Sequence, residues 1–138
     1  MKKLRTVGII VECKGEILIL HRNPDRPQGN TWGLPAGKVE LGEEDLGAAI
    51  RELFEETGYK AKVQDLIFVD NFNWHFPKNI IFFPTFKLIL KKKFAVRIDS
   101  KEHQGYEWIS PEKCYQKENL IHGFYDLLEK IYNINSKK

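Results

Sequence analysis

The sequence predicts an α/β fold, a mixed β-sheet held between helices, in one domain spanning residues 1–138. Three observations predict it. Short runs rich in β-branched residues interleave with two longer segments of helical spacing. A length of 138 residues with a hydrophobic share of 42% suits one core. No internal repeat and no low-complexity linker divides the chain.

In order along the chain, residues 4–11 are rich in β-branched side chains and read as a strand. Lys14-Gly15 turns the chain and 16–21 returns it, which makes a hairpin. Residues 23–30 hold two prolines, a glycine and several polar residues, a loop composition. The stretch 32–39 is short, glycine-containing and interrupted by Pro35. Residues 43–56 carry the strongest helical pattern, ended by Gly58 just beyond. Residues 63–72, 80–90 and 94–98 read as strands, with Lys91-Lys92-Lys93 at the turn between the last two. A charged turn of that kind protects a hairpin edge. Residues 106–109 give another short strand. Ser110 is placed to cap a helix with Pro111 in its first position. Apolar residues at 120, 121, 124, 127, 128 and 131 predict a final helix over 120–134.

Charge and cysteine usage narrow the function. The chain has 22 lysines and arginines against 19 acids, a net charge of +3. That balance is too mild to indicate nucleic acid as a partner. Cys13 and Cys114 cannot build a disulfide framework or a four-cysteine zinc site, and suit a reduced, cytoplasmic setting. No run approaches the roughly 18 apolar residues of a membrane span. Residues 1–5 resemble the charged start of a signal peptide, but the apolar run 7–11 stops at Glu12, too soon for secretion.

The chemistry concentrates between Gly37 and Gly58. On a wheel of about 100° per residue, Leu46, Ile50, Leu53 and Phe54 form the predicted core stripe. Glu52, Glu55 and Glu56 fall together on the other side, with Ala48 and Ala49 leaving space above them. Residues 43–56 hold six acids and one arginine, Arg51, a local charge of −5 in a chain of +3. Acids in the first turn, Glu43, Glu44 and Asp45, suit the helix dipole. Glu52 and Glu56 are different, because like charges at i,i+4 repel. A solvated face would alternate signs; this one offers hard oxygen ligands suited to Mg²⁺ or Mn²⁺.

Gly37, five residues, Glu43, seven residues, then Arg51-Glu52-Leu53-Phe54-Glu55-Glu56-Thr57-Gly58-Tyr59 resembles the signature box of the Nudix hydrolases, with every fixed position filled over 23 residues. The early hairpin, Trp32-Gly33-Leu34-Pro35 and Trp108 extend the resemblance over most of the chain. The resemblance implies an α/β/α sandwich with a mixed central sheet, and hydrolysis of a nucleoside diphosphate linked to another group. It implies that Glu52, Glu55 and Glu56 ligate Mg²⁺, with Mn²⁺ as a substitute, helped by the Gly37 carbonyl. It further implies that Arg51 holds a box glutamate by a salt bridge and that Glu43 supports the site. Gly37 and Gly58 would permit backbone turns at the two ends.

The general base is Glu55 or Glu102, which follows the predicted 94–98 strand. The stretch Glu102-His103-Gln104-Gly105-Tyr106-Glu107-Trp108 is similar to one in Nudix enzymes that split diadenosine tetraphosphate, and related stretches occur in triphosphate pyrophosphohydrolases. Where the former carry Pro-Lys-Gly-His, this chain has Pro35-Ala36-Gly37-Lys38. Candidate substrate contacts are Arg22 at a strand end, Lys38, and Trp74 and His75 in a polar stretch ending at Pro77; aromatic stacking on a base is worth about 1–3 kcal/mol. Trp32 and Trp108 read as structural. The expected partner is a free nucleotide, a nucleoside triphosphate or dinucleoside polyphosphate, acted on by a monomer or homodimer. Alternatives are ADP-ribose or nucleotide sugars, or a non-catalytic nucleotide sensor on the same fold, though a sensor would be expected to lose box carboxylates.

Overall fold

The computed structural model describes residues 1–135 and is organised around its first strand. β1 (Lys2–Cys13) pairs in parallel with β6 (Asn79–Leu90) along most of its length. Its other edge pairs antiparallel with β4 (Ala36–Lys38) and then, at Glu12 and Cys13, with β2 (Glu16–Arg22). β2 also pairs with β3 (Trp32–Gly33) and β7 (His103–Ile109), while β5 (Leu66–His75) closes the far edge against β6. The product is a seven-stranded mixed sheet.

Strand alternation sorts the core into two layers. Val7, Ile9, Val11, Leu18 and Leu20 face α1 (Asp45–Thr57). Ile10, Ile17 and Ile19 face α2 (Pro111–Tyr115) and α3 (Phe124–Tyr132), with Leu127 and Leu128. β1 and β2 are therefore apolar on both sides, as strands covered on both faces must be. Each such side chain contributes about 1.5–3 kcal/mol by burial. The expected α/β/α sandwich is found. Among the described residues no helix is long and apolar enough to cross a membrane.

Several boundaries differ from the sequence expectation. Residues 94–98 form no strand: Arg97 N–H donates to Thr57 O at the end of α1, and Phe94, Val96 and Ile98 pack against the α1-side core. Their period-two pattern satisfies burial without a ladder partner. Lys91-Lys92-Lys93 thus follows the end of β6 rather than joining two strands. Val63–Asp65 is a 3₁₀ turn. β5 instead continues to His75, which places Trp74 and His75 in a strand. The last helix begins only at Phe124, because Trp32 N–H donates to Asn119 O and Ile121 N–H to Trp32 O, committing that segment to β3.

Candidate active site

The acidic helix meets the sheet through its smallest side chains. Ala48 and Ala49 are fully buried, whereas Phe54 is 36% exposed beneath Lys60 and Arg97. The predicted stripe is corrected accordingly: Leu53 keeps its core place, Phe54 does not, and the alanines bring the helix close to the sheet. The i,i+4 row Ala48–Glu52–Glu56 therefore turns toward β4 rather than out to solvent. A Cβ on Gly37 would stand 1.8 Å from Glu52 Oε2, so only glycine admits this carboxylate. Gly37 has no positive φ; its requirement is close approach, while Gly58 does adopt φ 83° and ends α1 by donating to Phe54 O. Glu56 Oε1 accepts the Ala36 N–H at 2.9 Å.

Packing two acids here has an electrostatic cost. Burial pushes the Glu52 carboxyl up to about 7, with Arg51 opposing and Glu55 adding to the shift. Burial also holds Glu56 well above the carboxylate range; the Ala36 N–H and Arg22 oppose this, and Glu52 and Glu102 reinforce it.

Arg51 organises the outer flank. Its Nε and Nη2 donate to Glu43 at 2.8 and 2.9 Å, its Nη2 also to Lys38 O at 3.0 Å, and its Nη1 to Glu55 at 3.2 Å and Glu52 at 3.4 Å. The Arg51 hydrogen bonds, aided by the Glu40 N–H, hold Glu43 down to about 2. Glu55 is half exposed and held by the same Arg51 Nη1 that reaches Glu52.

Beside Glu56 opens a cavity of about 350 Å³. Arg22, Lys38 and Glu56 are the charged residues of its lining, Gly37 adjoins them, and Trp74, Phe76 and Phe83 are aromatic lining. Arg22, Lys38 and Trp74, the candidate substrate contacts, all line it. His75 does not: alternation along β5 turns it outward, exposed, while its neighbour Trp74 faces in. Glu102 is not in the cavity wall but lies close enough to Glu56 to raise it, and Arg26 Nε stands 2.6 Å from its Oε2. Trp32 stacks on His21 at 4.3 Å and Trp108 packs edge-on to Phe94, structural placements as expected. Among the lining residues that the sequence did not single out as substrate contacts are Gln28, Phe76, His103 and His122. Phe76 was legible as the next inward position after Trp74, and His103 as the neighbour of Glu102; Gln28 and His122 sit in loops without a pattern.

The donor set suits a hard divalent cation. Glu52 and Glu56 bring two partly buried acids to Gly37 and Ala36; burial raises both, and a cation there would favour their ionised forms. Among the described residues no three acids, histidines or cysteines converge as a ready-made cation site; Arg51 engages both Glu52 and Glu55.

Comparisons with known proteins identify the family. The family model described as NUDIX domain matches residues 1–130. The CTP pyrophosphohydrolase of Escherichia coli K12 is 29% identical over 84% of this chain and 82% of its own. The 8-oxo-dGTP diphosphatase of the same organism is 35% identical over 80% of this chain and 82% of its own. The crystal structure of a MutT protein from Methanosarcina mazei Go1 superposes with a TM-score of 0.80 at 27% identity, covering 99% of this chain and 97% of that one. The fold and the box define a Nudix hydrolase. The chain belongs to that family, and is a pyrophosphohydrolase acting on acid anhydrides.

Proposed function

We propose that this enzyme hydrolyses a phosphoanhydride bond of a free nucleoside triphosphate with the help of Mg²⁺ or Mn²⁺. The observation that carries the reading is a cavity whose lining combines Trp74, Phe76 and Phe83 with Glu56, Arg22 and Lys38. Its volume suits one nucleoside. Two relatives named for nucleoside triphosphates support it over a dinucleoside polyphosphate, the next reading.

Glu52, Glu56 and the Gly37 carbonyl would hold the cation. When bound, it supplies neutralisation of the phosphates and Lewis acidity toward water. The protein's own side chains do the rest. Trp74 and its aromatic neighbours hold the base; Arg22 and Lys38 balance phosphate charge. Arg51 fixes Glu43 and restrains Glu52. Glu102, beside Glu56, takes the proton from the attacking water, with Glu55 as the competing base.

The test is a panel of nucleoside triphosphates, dinucleoside polyphosphates, ADP-ribose and nucleotide sugars, with and without Mg²⁺ and with product analysis. Glu52→Gln and Glu56→Gln should each lower kcat at least about a hundredfold while the protein stays folded, since an amide keeps the shape but loses the anionic ligand. Near-native rates in either variant at saturating Mg²⁺, or undiminished activity in chelator, would contradict the assignment.

A further inference from the structure

Gln28 belongs to the cavity lining but lies outside the box, and no step of the chemistry above uses it. Its backbone is pinned. Arg22 Nε donates to Pro27 O at 2.9 Å and Thr31 Oγ1 donates to Gln28 O at 2.7 Å. Gln28 itself takes φ 54°, a left-handed conformation uncommon outside glycine. Its side chain is pinned as well: Oε1 accepts the His122 N–H at 2.9 Å, from loop 23–30 across to the segment before α3.

That bond decides which way round the carboxamide sits. A main-chain N–H only donates, so the atom facing it is the oxygen. The amide nitrogen, with two hydrogens to give, is the arm left over. Gln28 is exposed, and among the described residues no hydrogen bond engages its Nε2. The anchor of the amide belongs to the aromatic part of the lining. The His122 ring lies 4.5 Å from that of Phe76, and a Cβ on the next residue, Gly123, would meet the Trp74 ring at 2.4 Å. A base held by Trp74 and Phe76 therefore has a fixed hydrogen-bond donor beside it.

We propose that Gln28 is a specificity-determining residue of this site: its Nε2 donates to a carbonyl oxygen of the base, so that the enzyme selects triphosphates of oxo bases. The inference rests on the nucleotide reading above and narrows it. With Oε1 engaged by His122, the arm offered to the ligand only donates. Adenine carries an amino group and no carbonyl, whereas cytosine, uracil and hypoxanthine each carry a carbonyl.

The experiment measures kcat/KM on CTP, UTP, ITP and ATP, together with thermal unfolding of each variant. ITP and ATP are the sharpest pair, since one has a 6-carbonyl where the other has a 6-amino group. The wild type should use ATP least, and ITP about three- to tenfold better than ATP, the range of one neutral hydrogen bond. Gln28→Glu keeps an oxygen for the His122 N–H and turns the donor into an acceptor. It should leave the Tm unchanged and erase or reverse the preference for ITP over ATP, whatever the added charge does to all triphosphates alike. Gln28→Met removes both groups, should erase the preference, and decides the matter if Gln28→Glu does not fold or turn over. A residue that only straps the loop gives the opposite result: Gln28→Glu would keep the wild-type preference. That outcome overturns the proposal, as does a preference that survives in Gln28→Met or a wild type that uses ATP as well as ITP. A wild type that hydrolyses none of the four overturns the triphosphate reading itself, and the role of Gln28 with it.

Discussion

Glu52 and Glu56 bind protons more tightly in the folded chain than a free carboxylate does. Between the unfolded value near 4.5 and the folded value near 7, the native state therefore holds more protons than the unfolded state, and stability falls as pH rises. His103 acts in the opposite sense, since its folded value near 4 lies below 6.5 and its contribution grows as pH rises between them. Above pH 6.5 only the carboxylates remain. The metal-free protein should thus lose Tm from pH 6.5 to 8, and Mg²⁺ should raise Tm more at pH 8 than at pH 6; thermal unfolding in chelator and in excess Mg²⁺ measures both. Gly37 gives a sharper single-residue case. In Gly37→Ala the new methyl meets the end of a flexible side chain, so the fold should survive while Glu52 is displaced. A misplacement of that order costs about a hundredfold in rate. A Gly37→Ala enzyme with normal kinetics would remove the need for the close approach.

At the scale of elements, helix α1 was legible in its ends and its acidic row, but not in its contact face. A wheel ranks Leu, Ile and Phe above Ala, and so aims Phe54 at the core. The structure instead places Ala48 and Ala49 there, because close approach to the sheet needs small side chains, and lets Lys60 and Arg97 cover Phe54. The same limit explains 94–98, where alternation signals burial but cannot name a ladder partner. His75 was read with Trp74 from their polar stretch ending at Pro77, whereas strand pairing with Ile80 fixes an alternation that turns His75 outward. The close seat of α1 is testable. Ala48→Leu should destabilise by about 1–3 kcal/mol through overpacking, seen as a lower Tm. It should also reduce activity by lifting Glu52 and Glu56 from β4; a native Tm would contradict the tight contact.

At the scale of the molecule, the site depends on segments distant in sequence. The loop 23–30 is tied to 99–104 by Asn23 N–H to Glu102 O at 3.0 Å, Asn23 Nδ2 to Ser100 O at 2.8 Å and Arg26 to Glu102 at 2.6 Å. It is tied to the segment before α3 by His122 N–H to Gln28 Oε1 at 2.9 Å and Asn119 Nδ2 to Asn30 O at 2.7 Å. No local pattern reveals these ties, which is why the sequence left Glu55 and Glu102 level as candidate bases. Their surroundings now separate them. Glu55 is half exposed and held by Arg51 on the outer flank of α1, whereas Glu102 is fixed by two loops on the Glu56 side. Glu102→Gln should therefore lower kcat by roughly 10²–10⁴ while leaving the apparent Mg²⁺ constant nearly unchanged. Glu55→Gln, by freeing Arg51 to pull on Glu52, should shift the Mg²⁺ dependence along with the rate. Kinetics of both variants across a range of Mg²⁺ decide the matter: a wild-type rate in Glu102→Gln would pass the proton transfer to Glu55 and leave the Arg26–Glu102 contact as a clasp between loops.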